Sequence, residues 1–91
     1  MSYKKEKILV VDDERPIREI LSASLADEGF VVDSAEDGLQ ALQKIEAFKP
    51  DVVLLDIWMP GELDGIGVLR AAKERGLKTD FIVMSLSLIH I

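Results

Sequence analysis

Three short apolar runs restrict this chain more than anything else: Ile8-Leu9-Val10-Val11, Val52-Val53-Leu54-Leu55 and Phe81-Ile82-Val83-Met84. Each is too short for a helix and rich in branched side chains. A strand points successive side chains to opposite faces, so an unbroken apolar run is apolar on both. That is the condition of a strand inside a parallel sheet with helices on either side. A fourth run, Phe30-Val31-Val32-Asp33-Ser34-Ala35, is more mixed and reads as an edge strand.

Helical patterns fill the gaps. Ile17, Ile20, Leu21, Ser24 and Leu25 recur at helical spacing, with Pro16 near the start and Gly29 past the end. Asp37 is a candidate N-cap for a second helix whose inner face is Ala41, Leu42, Ile45 and Phe48, and Lys49-Pro50 stops it. Asp64 is the candidate cap of a third, with Ile66, Leu69 and Ala72 facing inward and Gly76 closing it. Alternating strands and helices predict an α/β fold on a parallel sheet. The 91 residues, 48% of them hydrophobic, suffice for one small domain. No repeat, low-complexity stretch or linker divides them.

Composition narrows the function. Lys+Arg 11 against Asp+Glu 17 gives a net charge of -6, a poor match for a phosphate backbone. With no Cys, thiolate metal sites, disulfides and cysteine nucleophiles are excluded. The single His, His90, excludes multi-histidine metal sites and weighs against a Ser-His-Asp triad. No apolar run reaches the roughly 20 residues of a membrane span, and MSYKKEK lacks a signal-peptide core. The expectation is a cytoplasmic protein without membrane contact. Lys4, Lys5 and Lys7 read as a solvated flank.

The chemistry sits at strand ends. The first run leads into Asp12-Asp13, the second into Asp56 and the last into Ser85. Ligands of open parallel sheets bind beyond the carboxyl ends of the strands, near a switch in strand order. If the first and third strands are neighbours, about 4.8 Å apart, the three carboxylates converge. At 5 Å and an effective dielectric near 20, each pair repels by about 3 kcal/mol. Such a group takes up protons or binds a cation, and oxygen-only donors favour Mg²⁺. A lone Asp after a strand is more often a helix cap, and Asp13 or Glu14 is a candidate cap here. The residues alone leave both readings open. Asp56 precedes a loop, Ile57-Trp58-Met59-Pro60-Gly61, and so is no simple cap. A carboxylate beside Mg²⁺ can act as a nucleophile on phosphorus. Ser85 has either a phosphoryl-binding hydroxyl or one that merely faces water. The Trp58 carbonyl is a plausible metal ligand, while its ring reads as packing or surface. His90 has no assigned role.

Together Ile8-Leu9-Val10-Val11-Asp12-Asp13-Glu14, Asp56-Ile57-Trp58-Met59-Pro60, Asp64-Gly65 and Ser85 resemble the receiver domain of two-component response regulators, from about Glu6 to Ser85. The Asp56-to-Gly61 wording looks most like the nitrogen-regulation (NtrC/NtrX) type. The resemblance implies a flavodoxin-like (CheY-like) fold with strand order 2-1-3-4-5 and a switch rather than an enzyme. It implies Asp56 as phosphoacceptor, Mg²⁺ held by Asp12, Asp13, Asp56 and the Trp58 backbone carbonyl, and Ser85 as the switch hydroxyl. The implied partner is a sensor histidine kinase. Transcriptional output and any dimerisation would belong to the full-length protein, with no direct nucleic-acid binding by this domain.

Three departures accompany the likeness. The stretch between Pro60 and Asp64 is one residue longer than the family's. The family's last helix, strand and helix have no counterpart, so the chain reads as a partial domain that folds poorly, with 86–91 a doubtful tail. The family's lysine follows the fifth strand, and no Lys takes that place here. Three other functions fit these residues less well. An Mg²⁺-dependent phosphohydrolase with an Asp nucleophile would show Asp-x-Asp-x-Thr after the first strand, where Asp12-Asp13-Glu14-Arg15-Pro16 stands. A phosphorylation-independent interaction module would not need all three acidic positions. A nucleotide binder lacks its glycine motifs.

Overall fold

A computed structural model describes residues 5–57 and 64–84. Strands and helices alternate along them: β1 (Lys7–Val11), α1 (Arg15–Asp27), β2 (Val31–Ala35), α2 (Gly38–Phe48), β3 (Val52–Asp56), α3 (Gly65–Glu74) and β4 (Asp80–Met84). All strand pairs are parallel, in the order β2-β1-β3-β4. This is the flavodoxin-like arrangement that the family resemblance implied, without a fifth strand among the described residues.

The core lies on one face of the sheet. Leu9 and Val11 of β1, Val53 and Leu55 of β3 and Ala35 of β2 pack against Ala41, Leu42 and Ile45 of α2 and Val68 of α3. Ile8 and Val10 point the other way and are buried as well, on the face that α1 covers through its contacts with β1 and β2. The expected caps form. Asp37 accepts a hydrogen bond from the Gln40 amide and Asp64 one from the Gly67 amide, each at 2.8 Å. Lys49 ends α2 in the left-handed region, with φ 54°, and Pro50 follows.

Several expectations need correction. Ile20 and Ile66 are exposed, and Val68 takes the inward place in α3. Double-sided burial holds for β1 but not for β4, where Ile82 and Val83 are 54% and 47% exposed. Among the described residues their strand lies outermost, while α1 packs mainly on β2 and β1 at the other end of the sheet. Lys7 is no solvated flank. Its amide donates to Asp51 Oδ2 at 2.8 Å, and its ammonium donates to the Phe48 carbonyl and lies 5.3 Å from the Phe48 ring centroid. Its aliphatic stem therefore runs along the protein with only the head free to meet polar partners. No side chain caps α1 at Glu14; instead Asp12 Oδ1 accepts the Glu14 amide at 2.9 Å.

Candidate functional site

The chain leaves β1 to one side through α1 and returns to the other through α2, so strand order switches between β1 and β3. Their carboxyl ends therefore open the crevice where ligands of such sheets bind. Val11 lies opposite Leu55 in the register, and the next residue on each strand path is an aspartate, Asp12 and Asp56. Carboxylate oxygens of Asp12, Asp13 and Asp56 all lie within 4.8 Å of one another. The convergence expected from strand adjacency is present.

Burial divides the three. Asp12 is 0% and Asp56 1% exposed, while Asp13 is open to solvent. Burial pushes the Asp12 carboxyl from the usual 3.8 up to about 6. The hydrogen bond from the Glu14 amide works against this rise, and the charges of Asp56, Asp13 and Glu14 add to it. Asp12 Oδ2 is buried without a hydrogen-bond partner among the described residues. A buried carboxylate oxygen left in this state is costly. A hard divalent cation shared with the neighbouring carboxylates would relieve both the orphaned oxygen and the repulsion. The oxygen-only donor set suits a hard divalent cation such as Mg²⁺, which takes one or two carboxylates directly and keeps several waters that the remaining acid can accept from.

Asp56 closes β3 beside the end of β4. It pairs with Met84, and the Ile57 amide donates to the Met84 carbonyl at 3.2 Å. Trp58 and Ser85, the expected carbonyl ligand and switch hydroxyl, lie outside the described residues, as do Gly61, Glu62 and Leu63 of the lengthened loop.

Gly65 is a site element whose reason could not be seen in the sequence. A Cβ at this position would stand 2.5 Å from Ile57 Cα and 2.7 Å from the Asp56 carbonyl oxygen. The first turn of α3 thus presses directly on the peptide that follows Asp56, which only glycine permits. The Asp64-Gly65 pair was visible as part of the resemblance, but its contact across the fold was not.

Fold and site define a flavodoxin-like α/β domain with an acidic pocket at the switch point of its sheet. The chain matches the family described as "Response regulator receiver domain" over residues 8–88 and belongs to that family, the receiving module of two-component signalling. Response regulator MprA of Mycobacterium ulcerans is 42% identical over 79 residues, covering 87% of this chain and 34% of that protein. The chain therefore spans about a third of the length of this relative. Among solved structures, the receiver domain of Francisella response regulator 1452 superposes with a TM-score of 0.83 at 32% identity, covering 89% of this chain and 66% of that one. NtrX from Brucella abortus gives 0.80 at 37% identity, covering 88% of this chain and 18% of that one. Vibrio cholerae CheY4 gives 0.82 at 29% identity, covering 94% and 76%. The likeness is to the family as a whole, with more than one branch represented. Among the described residues, no helix is long and apolar enough to cross a membrane.

Proposed function

We propose that this domain accepts a phosphoryl group on Asp56 from the phosphohistidine of a sensor histidine kinase, in an Mg²⁺-dependent reaction. In the transfer, an Asp56 carboxylate oxygen forms a bond to phosphorus as the phosphorus–nitrogen bond to the donor imidazole breaks. The electron pair leaves with the imidazole nitrogen, which then takes up a proton. Asp12, Asp13, Asp56 and the Trp58 carbonyl would hold the ion. When bound, it neutralises charge on the phosphoryl oxygens and the carboxylates around them. Burial of Asp56 restricts competing water, and β3 fixes its carboxylate at the sheet edge. Ser85 is the proposed hydroxyl that senses the phosphoryl group, and transcriptional control through an output domain elsewhere in the full protein is the proposed result. The wording from Asp56 to Gly61 makes the nitrogen-regulation type our proposed branch.

One observation carries this reading: three carboxylates meet at the switch point, one with a buried oxygen that finds no hydrogen-bond partner among the described residues. The test is incubation with acetyl phosphate with and without Mg²⁺, followed by intact mass. The expected result is a gain of one phosphoryl group that needs Mg²⁺ and is lost in Asp56→Asn. Equal labelling of Asp56→Asn, or none of the wild type, would refute the assignment.

A further inference from the structure

We propose that Arg18 is a positioning residue for the acidic pocket, locking the Asp12 backbone where its carboxylate shares a divalent ion with Asp13 and Asp56. This inference rests on the metal-site reading given above.

Asp12 is the first residue past β1, just beyond the strand pairing that ends at Val11. Its amide still donates to the Ala35 carbonyl of β2, at 3.2 Å. Its own carbonyl is held by Arg18, whose Nη1 donates to it at 2.7 Å. The other arm, Nη2, lies 3.9 Å from Glu36 Oε2, just past the end of β2. The Arg18 amide donates to the Glu14 carbonyl at 3.1 Å, so the residue belongs to the first turn of α1. One side chain therefore ties together the exit of β1, the start of α1 and the exit of β2. The planar guanidinium can serve two partners in fixed directions, which a lysine ammonium cannot copy.

Burial supports the assignment. The Arg18 side chain is only 15% exposed. Arg15, one turn earlier, is 80% exposed and pairs with Glu19 of its own helix. The two arginines share a helix and a charge but differ in what they hold.

A purely electrostatic role makes the opposite forecast. A fixed cation beside the pocket repels a divalent ion, so removing its charge would tighten binding. A positioning role means that removal loosens binding, because second partners of metal ligands set ligand placement and typically change affinity by about 10–100-fold.

Binding of Mn²⁺, counted by electron paramagnetic resonance of the free ion and competed with Mg²⁺, separates the two. Arg18→Met and Arg18→Lys are both expected to weaken binding by about tenfold or more. Glu36→Gln should weaken it less, and Arg15→Met should leave it unchanged. Thermal melts in EDTA accompany each variant, so affinity is compared between folded proteins. Should Arg18→Met fail to fold, Arg18→Lys and Glu36→Gln carry the comparison. Wild-type affinity in Arg18→Lys, or tighter binding in Arg18→Met, overturns the inference while leaving the pocket intact. Wild-type protein that binds no Mn²⁺ removes the pocket reading itself, and this inference with it.

Discussion

Asp12 is held at every polar atom but one. Its amide donates to Ala35, its carbonyl accepts from Arg18, and its Oδ1 accepts from Glu14. Among the described residues, Oδ2 finds no hydrogen-bond partner. The acidic pair was legible in the sequence, but which member is buried was not. Asp12 and Asp13 are consecutive at a strand end, and consecutive side chains there point to different surroundings. The pH consequence follows from burial. The folded-state value of about 6 lies above the usual 3.8, so the contribution of Asp12 to stability is fully present below about pH 4 and is lost as pH rises through 6. A rise of some two pH units corresponds to at most about 3 kcal/mol. Without divalent ions, Asp12→Asn should therefore raise the melting temperature at pH 7.5, have a smaller effect at pH 4, and abolish the stabilisation that Mg²⁺ gives the wild type. Melts at both pH values, with EDTA and with Mg²⁺, check this. A lower melting temperature for Asp12→Asn in EDTA at pH 7.5 would contradict it.

Helix caps were readable because they depend on local chemistry. Asp37 and Asp64 bond to amides three residues on, within the reach of sequence spacing alone. Helix phase was less readable. In α3 the buried residues are Gly65, Val68 and Ala72. Ile66 lies about 100° around the helix from Gly65, which takes it to the exposed flank despite its apolar side chain. A glycine as the centre of a buried face carries no apolar signal, so counting hydrophobic residues shifts the apparent face. The reason for Gly65 lies in another element, the end of β3. Gly65→Ala forces α3 and the Asp56–Ile57 peptide apart, and overpacking of this kind costs about 1–3 kcal/mol. Denaturant unfolding should show that loss, and acetyl phosphate labelling of Asp56 should slow. An alanine variant with unchanged stability and labelling would mean that the contact is not tight in solution.

Strand order could be argued for the whole molecule from alternating elements and from family likeness, because parallel strands require crossover helices. Coverage of the sheet could not. Apolar runs in β1 and β4 look alike in sequence, yet β1 is enclosed and β4 is largely exposed. Position in the sheet decides this. Val53→Ala empties a fully buried place in the core and should cost about 2 kcal/mol or more. Ile82→Ala, on the exposed strand, should change stability by about 0.5 kcal/mol or less. Comparable losses in chemical denaturation would show that β4 is covered in solution. The acidic pocket is also a property of the whole sheet, since β1 and β3 bring together residues far apart in the chain. The most direct test is Mn²⁺ titration followed by amide NMR, where a bound paramagnetic ion broadens nearby signals. The expected result is saturable broadening centred on Asp12, Asp13, Asp56 and Ile57, reversed by excess Mg²⁺. Broadening spread over surface acids, with those four amides spared, would contradict the shared cation site.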